Sequence, residues 1–237
     1  MSIFRPGLGR RMLRRLVFLL LFLVILSAGL VLSFRWLPPL TSSYMLQDEY
    51  LHELWIDYRW LPLKNVSPHL RRAMLAADNQ IFMEDLGLNV DSLVAALKDE
   101  PVGDESLRPS RSIMASQVSR NLFLWRKEGP VRDVMEAYFS QLIDWFWPRG
   151  RVLEVYVNIA EFGPGIYGVE AASQRTFKHS AIRLSAKQAA QIAAILPNPK
   201  VYAAGSDDAF AQLRSRWLRK QMEVVSDVSL ASPGRRR

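Results

Sequence analysis

The 237-residue chain contains no cysteine, which excludes a thiol nucleophile and any cysteine-built metal centre. Its three histidines, His52, His69 and His179, are widely separated. No His-Glu-x-x-His pattern places two of them on one helix turn, so no protein-built metal site is expected. Equally absent are the Gly-x-Ser-x-Gly elbow of serine hydrolases, the Walker phosphate loop and the glycine-rich dinucleotide fingerprint. There is no internal repeat and no low-complexity segment. What remains to carry chemistry is acids and bases on an apolar, largely helical framework.

Acidic residues are missing from the first 15 positions, which carry Arg5, Arg10, Arg11, Arg14 and Arg15. The next stretch, Leu16 to Phe34, lacks charge of either sign for 19 residues, long enough to cross a bilayer as a helix. A cleaved signal peptide competes with this reading because Ser27-Ala28-Gly29 offers small residues, but secretory apolar cores are usually about 7–15 residues long. A retained anchor is therefore expected. Five arginines before the span and only Arg35 immediately after it predict a cytoplasmic N-terminus and an exported C-terminal domain, which in a Gram-negative cell is periplasmic.

The formal charge of +8 is accounted for by the five N-terminal arginines and Arg235, Arg236 and Arg237. The residues between them are net neutral, which argues against nucleic-acid binding. Apolar residues make up 49% and aromatics 11%, enough for one packed domain behind the anchor. The organisation expected is a basic tail at 1–15, a transmembrane helix at 16–34, a linker at 35–45, a domain at 46–225 and a basic tail at 226–237.

That domain reads as mainly α. Helical periodicity marks Pro68–Asp78, Val90–Lys98, Ala115–Leu124, Val131–Trp147, Arg151–Glu161, Gly168–Thr176, Ser185–Leu196 and Asp207–Val225. Ser67 with Pro68, Asp91, Ser185, and Ser206 with Asp207 supply caps at four of the starts. Glu100 to Arg111 reads as a loop. The aromatic run Tyr138, Phe139, Trp145, Phe146 and Trp147 fits a core helix, a ligand platform or a bilayer contact.

Two stretches carry candidate chemistry. Arg132 and Glu136 stand at i and i+4, so both side chains share a helix face and can act on one ligand or pair with each other. Leu75 to Gly87 concentrates Asp78, Asn79, Gln80, Glu84 and Asp85 around Phe82.

Further on, Arg151, Leu153-Glu154, Tyr156, Asn158, Gly165, Gly168, Ala171, Phe177-Lys178 and Pro197-Asn198-Pro199 follow one another at a characteristic spacing. With Tyr58 to Met74 upstream and Asn121 to Trp125 between, this pattern closely resembles the peptidoglycan transglycosylases, specifically the membrane-anchored monofunctional biosynthetic form. The resemblance covers roughly Tyr58 to Met222. It implies a lysozyme-like two-lobed helical domain against the outer face of the inner membrane, extending glycan chains from lipid II. Undecaprenyl pyrophosphate would leave and the donor anomeric carbon would invert. The implied partners are lipid II, the growing glycan chain, the inner membrane and other cell-wall synthesis proteins. No cofactor built by the protein is implied, and a divalent cation such as Mg2+ could assist at the substrate pyrophosphate.

By the same resemblance, Asp78 and Glu136 are the catalytic acids, and Ser112, Gln117, Arg120 and Arg132 bind substrate. The family's first motif, E-D-x-x-F-x-x-H-x-G, aligns on Phe82 and Gly87, so the general base is Asp78, one methylene shorter than the family's Glu. Asn79 and Asp85 stand for the family's Asp and His. In the second motif, G-G-S-T-I-[ST]-Q-Q, Ser112 and Gln117 match while Ile113 and Ser116 do not, and Arg120 stands at a family lysine. In the third, R-K-x-x-E, Arg132 and Glu136 match but Asp133 replaces a cation; Arg126 and Lys127 are the nearby cations available to offset it. These departures raise a second expectation, a weakened or inactive member acting as a scaffold or lipid II-binding protein.

Overall fold

The protein is described here by a computed structural model covering residues 6–85, 113–196, 199, 204–205 and 208–224. The expected helix at Val90–Lys98, the loop before Ser112, Ser112 itself, and the caps Asp91, Ser206 and Asp207 lie outside the described residues.

The chain is mainly α, as the periodicity predicts. Its described helices are α1 (Pro6–Ser33), α2 (Ser43–His52), α3 (Pro68–Asp85), α4 (Ile113–Phe123), α5 (Pro130–Phe146), α6 (Arg149–Ile159), α7 (Val169–Phe177), α8 (Ala186–Ala194) and α9 (Ala209–Val224). One small sheet accompanies them, in the order β1 (Asp57–Tyr58), β3 (Ile166–Tyr167), β2 (Glu161–Gly163). β3 runs parallel to β1, with Asp57 opposite Ile166, and antiparallel to β2, with Glu161 opposite Tyr167.

Helix α6 is the centre of the domain because its sequence is apolar nearly all round: Val152, Leu153, Val155, Tyr156, Val157 and Ile159 are all buried. A surface helix would need a polar face instead. α4 and α3 pack on α6, and α5 packs on α4. α3 presents Leu70, Ala73, Met74 and Ala77 on one stripe, set against α8 and α9. The facing stripe of α8 is Ala189, Ala190, Ile192 and Ala193, small enough to let the helix axes approach closely.

Local signals set several boundaries. Ser185 caps α8 in a full capping box with Gln188, as its sequence predicts. Ser67 precedes α3 as expected, but its hydroxyl donates to the Leu184 carbonyl at 2.8 Å, so it ties α3 to the segment before α8 instead of closing a local cap. α9 begins at Ala209, where Asp208 accepts the Ala211 amide at 2.9 Å.

The residues matching the family framework are structural. Asn158 makes a two-way clasp with Leu61, its Oδ1 accepting the Leu61 amide at 2.7 Å and its Nδ2 donating to the Leu61 carbonyl at 2.9 Å. Gly168 has φ +82°, and a Cβ there would sit 2.6 Å from the Asn158 carbonyl oxygen. Only glycine combines that backbone with that approach.

The long N-terminal helix does not stand free of the domain. Helix α1 has one stretch, Arg11–Ser33, long and apolar enough to cross a membrane, and that stretch is almost wholly uncovered by protein. Its last turns dock on α5: Ser27 and Tyr138 share a hydrogen bond at 2.7 Å, and Trp147 Nε1 donates to the Val31 carbonyl at 2.8 Å. Arg151 donates to the carbonyls of Phe34 and Leu37 at 2.9 and 2.6 Å, satisfying the end of the anchor helix with a cation where its dipole favours one. The aromatic run therefore divides: Phe139 and Trp147 are core, Tyr138 clasps α1, and Trp145 is exposed.

Candidate active site

Helix α4 gathers the site. Ser116 and Arg120 stand one turn apart on it, and Arg132 and Glu136 one turn apart on α5, which packs alongside. Glu136 Oε1 accepts a hydrogen bond from Ser116 Oγ, and Glu136 Oε2 accepts one from Arg120 Nε at 2.7 Å. Arg132 lies on the same carboxylate at 3.8 Å and also donates to the Arg126 carbonyl at 3.2 Å. The expected Arg132–Glu136 pair is thus real but loose, and Arg120 is the tighter partner.

Burial alone would favour the neutral form of Glu136, but the hydrogen bonds from Arg120 and Ser116 and the charges of both arginines outweigh it. Its carboxyl is held below its ordinary value. The Glu136 carboxylate thus lies between two guanidinium groups, and Arg132 also stands 3.8 Å from the exposed Glu128; cations so placed suit an anionic leaving group. Tyr44 of α2 adds a hydroxyl kept protonated by burial within the field of Arg132, Arg126, Arg120 and Glu136; its ring is capped by Arg126 at 4.3 Å.

Asp78, on α3, meets the same helix at its first turn. Its carboxylate accepts the backbone N–H of Met114, in the first turn of α4. Surrounding protein strips water from it and pushes its pKa up to about 7, with Asp144 adding to the rise; the Met114 amide and the exposed Arg149 oppose it only partly. Asp78 and Glu136 are therefore driven in opposite directions, one poised to take a proton near neutral pH and one locked as an anion. Such divergence is how a pair of carboxyls is given separate acid–base roles.

Gln117, the next residue after Ser116, is half-buried and makes no hydrogen bond to another described side chain. Asp133 faces solvent in the first turn of α5, where a helix dipole favours an anion. It does not share the buried face of Arg132. Arg126 is not available to offset it: the guanidinium donates to Asp48 at 2.8 Å, Glu161 at 2.9 Å and Tyr167 OH at 2.8 Å. Of the two cations expected there, Lys127 is the exposed one.

Sequence reasoning missed Tyr44, which no motif marks, and did not anticipate that the Ser116 hydroxyl donates to Glu136. The i, i+4 spacing of Ser116 and Arg120 was the available signal. Among the described residues no three His, Asp or Glu side chains form a metal-binding group.

The family model described as Transglycosylase matches residues 47–223. The chain belongs to the transglycosylase family. Similar relatives agree along nearly their whole lengths. A biosynthetic peptidoglycan transglycosylase of Ectopseudomonas mendocina is 42% identical over 90% of this chain and 89% of its own. That of Stutzerimonas stutzeri is 40% identical over 91% and 90%, and that of Haemophilus influenzae 35% identical over 93% and 90%.

Proposed function

We propose that this protein is a peptidoglycan glycosyltransferase that polymerises lipid II into glycan strands. The observation that carries the reading is the pair of oppositely tuned acids held on one turn of α4. The family membership and the names of its relatives support it. In the proposed step Asp78, as carboxylate, takes the proton of the acceptor sugar's 4-hydroxyl while that oxygen attacks C1 of the donor. The bond from C1 to the pyrophosphate oxygen breaks, its electron pair leaves with undecaprenyl pyrophosphate, and the anomeric centre inverts. Arg120 and Arg132, oriented by Glu136, stabilise the departing charge. Ser112 and Gln117 are assigned to sugar binding.

A divalent cation such as Mg2+ belongs, in this reading, to the pyrophosphate of the substrate. Glu136 is already committed to Arg120 and Ser116, so the step is written without a protein-held metal. The localisation proposed is the inner membrane, with the N-terminal arginines cytoplasmic and the domain periplasmic. Exposed Trp36, Leu37, Leu40 and Trp145 collar the end of α1 and suit the bilayer interface. Association with other cell-wall synthesis proteins is also proposed.

The test is polymerisation of labelled lipid II by the purified full-length protein beside Asp78→Ala and Glu136→Gln. Glycan from wild type and none from either variant supports the reading. A wild type that binds lipid II without polymerising it makes the protein a scaffold, and activity untouched by Asp78→Ala removes Asp78 as the base.

A further inference from the structure

The net-neutral interior of the sequence conceals a division of charge. Between Trp36 and Val169 there are 13 basic and 18 acidic residues, whereas Glu170 to Val224 holds 9 basic and 4 acidic. Helix α9 alone carries Arg214, Arg216, Arg219 and Lys220 against Glu223. Arg214 is fully buried, but Arg216 and Arg219 point outward, where they meet Lys187 from the first turn of α8. Together these three cations rim an open cavity of about 390 Å³ whose remaining polar lining includes Gln191, Gln212 and Ser215.

No carboxylate of a described residue lies within ion-pair distance of Lys187, Arg216 or Arg219; Arg216 makes only a long contact, 3.4 Å, to Gln212. Three like charges around one opening repel one another, and a counter-charge entering it relieves all three at once. Gln191 and Gln212 each present both a donor and an acceptor, which matches peptide amides better than a bare inorganic ion. The cavity is also of the size that holds a short peptide segment. Helices α8 and α9 pack on α3 and on each other, while the anchor packs on α5, so the cavity is not built on the helices that meet the membrane.

We propose that this cavity is a subsite for carboxylate-bearing peptide, and that its occupant is the acidic peptide branch carried by the glycan strand. The inference rests on the glycosyltransferase reading and extends it, because such peptides are the anionic part of the substrate that remains after the pyrophosphate has left. Lys187, Arg216 and Arg219 grip the carboxylates, and the two glutamines read the adjoining amides. Neither Asp78 nor Glu136 lines the subsite, so it holds the strand and takes no part in bond making.

The experiment uses the full-length protein in detergent, a fluorescent synthetic stem pentapeptide with free carboxylates, and the same peptide with every carboxylate amidated. Wild type is expected to bind the free-acid peptide at least 10-fold more tightly than the amide. Lys187→Ala/Arg216→Ala/Arg219→Ala is expected to erase that preference without lowering the melting temperature. If the triple variant does not fold, Arg219→Gln combined with a salt titration gives the same readout. Equal binding of the two peptides, or binding unchanged in the variant, overturns the proposal; so does a stronger, charge-dependent preference for vesicles of anionic phospholipid. Lipid II polymerisation is measured alongside. Peptide binding without polymerisation sinks the glycosyltransferase reading and leaves the cavity as a peptide site, whereas polymerisation without cation-dependent peptide binding sinks the subsite alone.

Discussion

Asp78 and Glu136 are tied to the same turn of α4, Asp78 through the Met114 amide and Glu136 through the Ser116 hydroxyl two residues on. They come from helices α3 and α5, each of which packs on α4. Helix α4 is therefore the reference that fixes one acid relative to the other, and it reaches opposite results at its two contacts. Asp78 is left in a poorly hydrated setting with one amide donor. Glu136 receives a hydroxyl and a guanidinium.

The first consequence is a pH profile. With Asp78 near 7 and required as carboxylate, the initial rate of lipid II polymerisation should climb about tenfold per pH unit below that value and level off above it. Glu136 contributes no limb in this range, being held ionised. A rate flat from pH 6 to 8 would show that another group is the base.

Stability should respond in the opposite sense. The folded-state pKa of Asp78 lies above its unfolded value, so the native state binds the extra proton between about 4 and about 7. Stability linked to this group is fully present below that window and lost as pH rises through it. Asp78→Asn should thus melt close to wild type at pH 4 and higher at pH 8, by a difference on the order of a few kcal/mol. Thermal melts at both pH values check the sign.

Glu136→Gln removes the carboxylate that Arg120 and Arg132 share. We expect activity to fall by about 100-fold or more and stability by ~1–3 kcal/mol, since a buried charged group loses its partner. Arg120→Lys should retain part of the activity, because a lysine can reach the carboxylate but cannot present the same fork. Activity and melting curves measured together separate a lost catalytic group from a lost fold.

The knot around Arg126 also bears on stability. Asp48 is fully buried and Glu161 nearly so, and Arg126→Ala removes the guanidinium that pairs with both. A loss of about 3–5 kcal/mol is expected, whereas Lys127→Ala, on the exposed side of the same loop, should stay within about 0.5 kcal/mol. Equal melting temperatures for the two variants would contradict the assignment.

Gly168→Ala tests the framework. The left-handed φ and the Asn158 carbonyl against the missing Cβ both penalise the methyl group, so a loss of ~2 kcal/mol or more is expected. Gly129→Ala, where a Cβ meets nothing within 4 Å, is the control for α5.

Much of the fold was legible because it is written in near-neighbour patterns. The uncharged run before Arg35, the 3.6-residue periodicity of α3 to α9, and the Ser185 capping box each depend on residues within a few positions of one another, and local backbone physics suffices to read them. The spacing from Arg151 to Gly168 likewise announced its family, since those residues lock one helix and one turn together. The tertiary structure decided everything that depends on what one helix presents to another. It made Ser116 the holder of Glu136, turned Asp133 to solvent, consumed Arg126 in a buried knot, and gathered Lys187, Arg216 and Arg219 around one opening within a sequence whose interior charge sums to zero. A charge has the same value anywhere in the sequence, but its effect is set by the water removed from it and by the groups brought within a few ångströms, and only packing determines both.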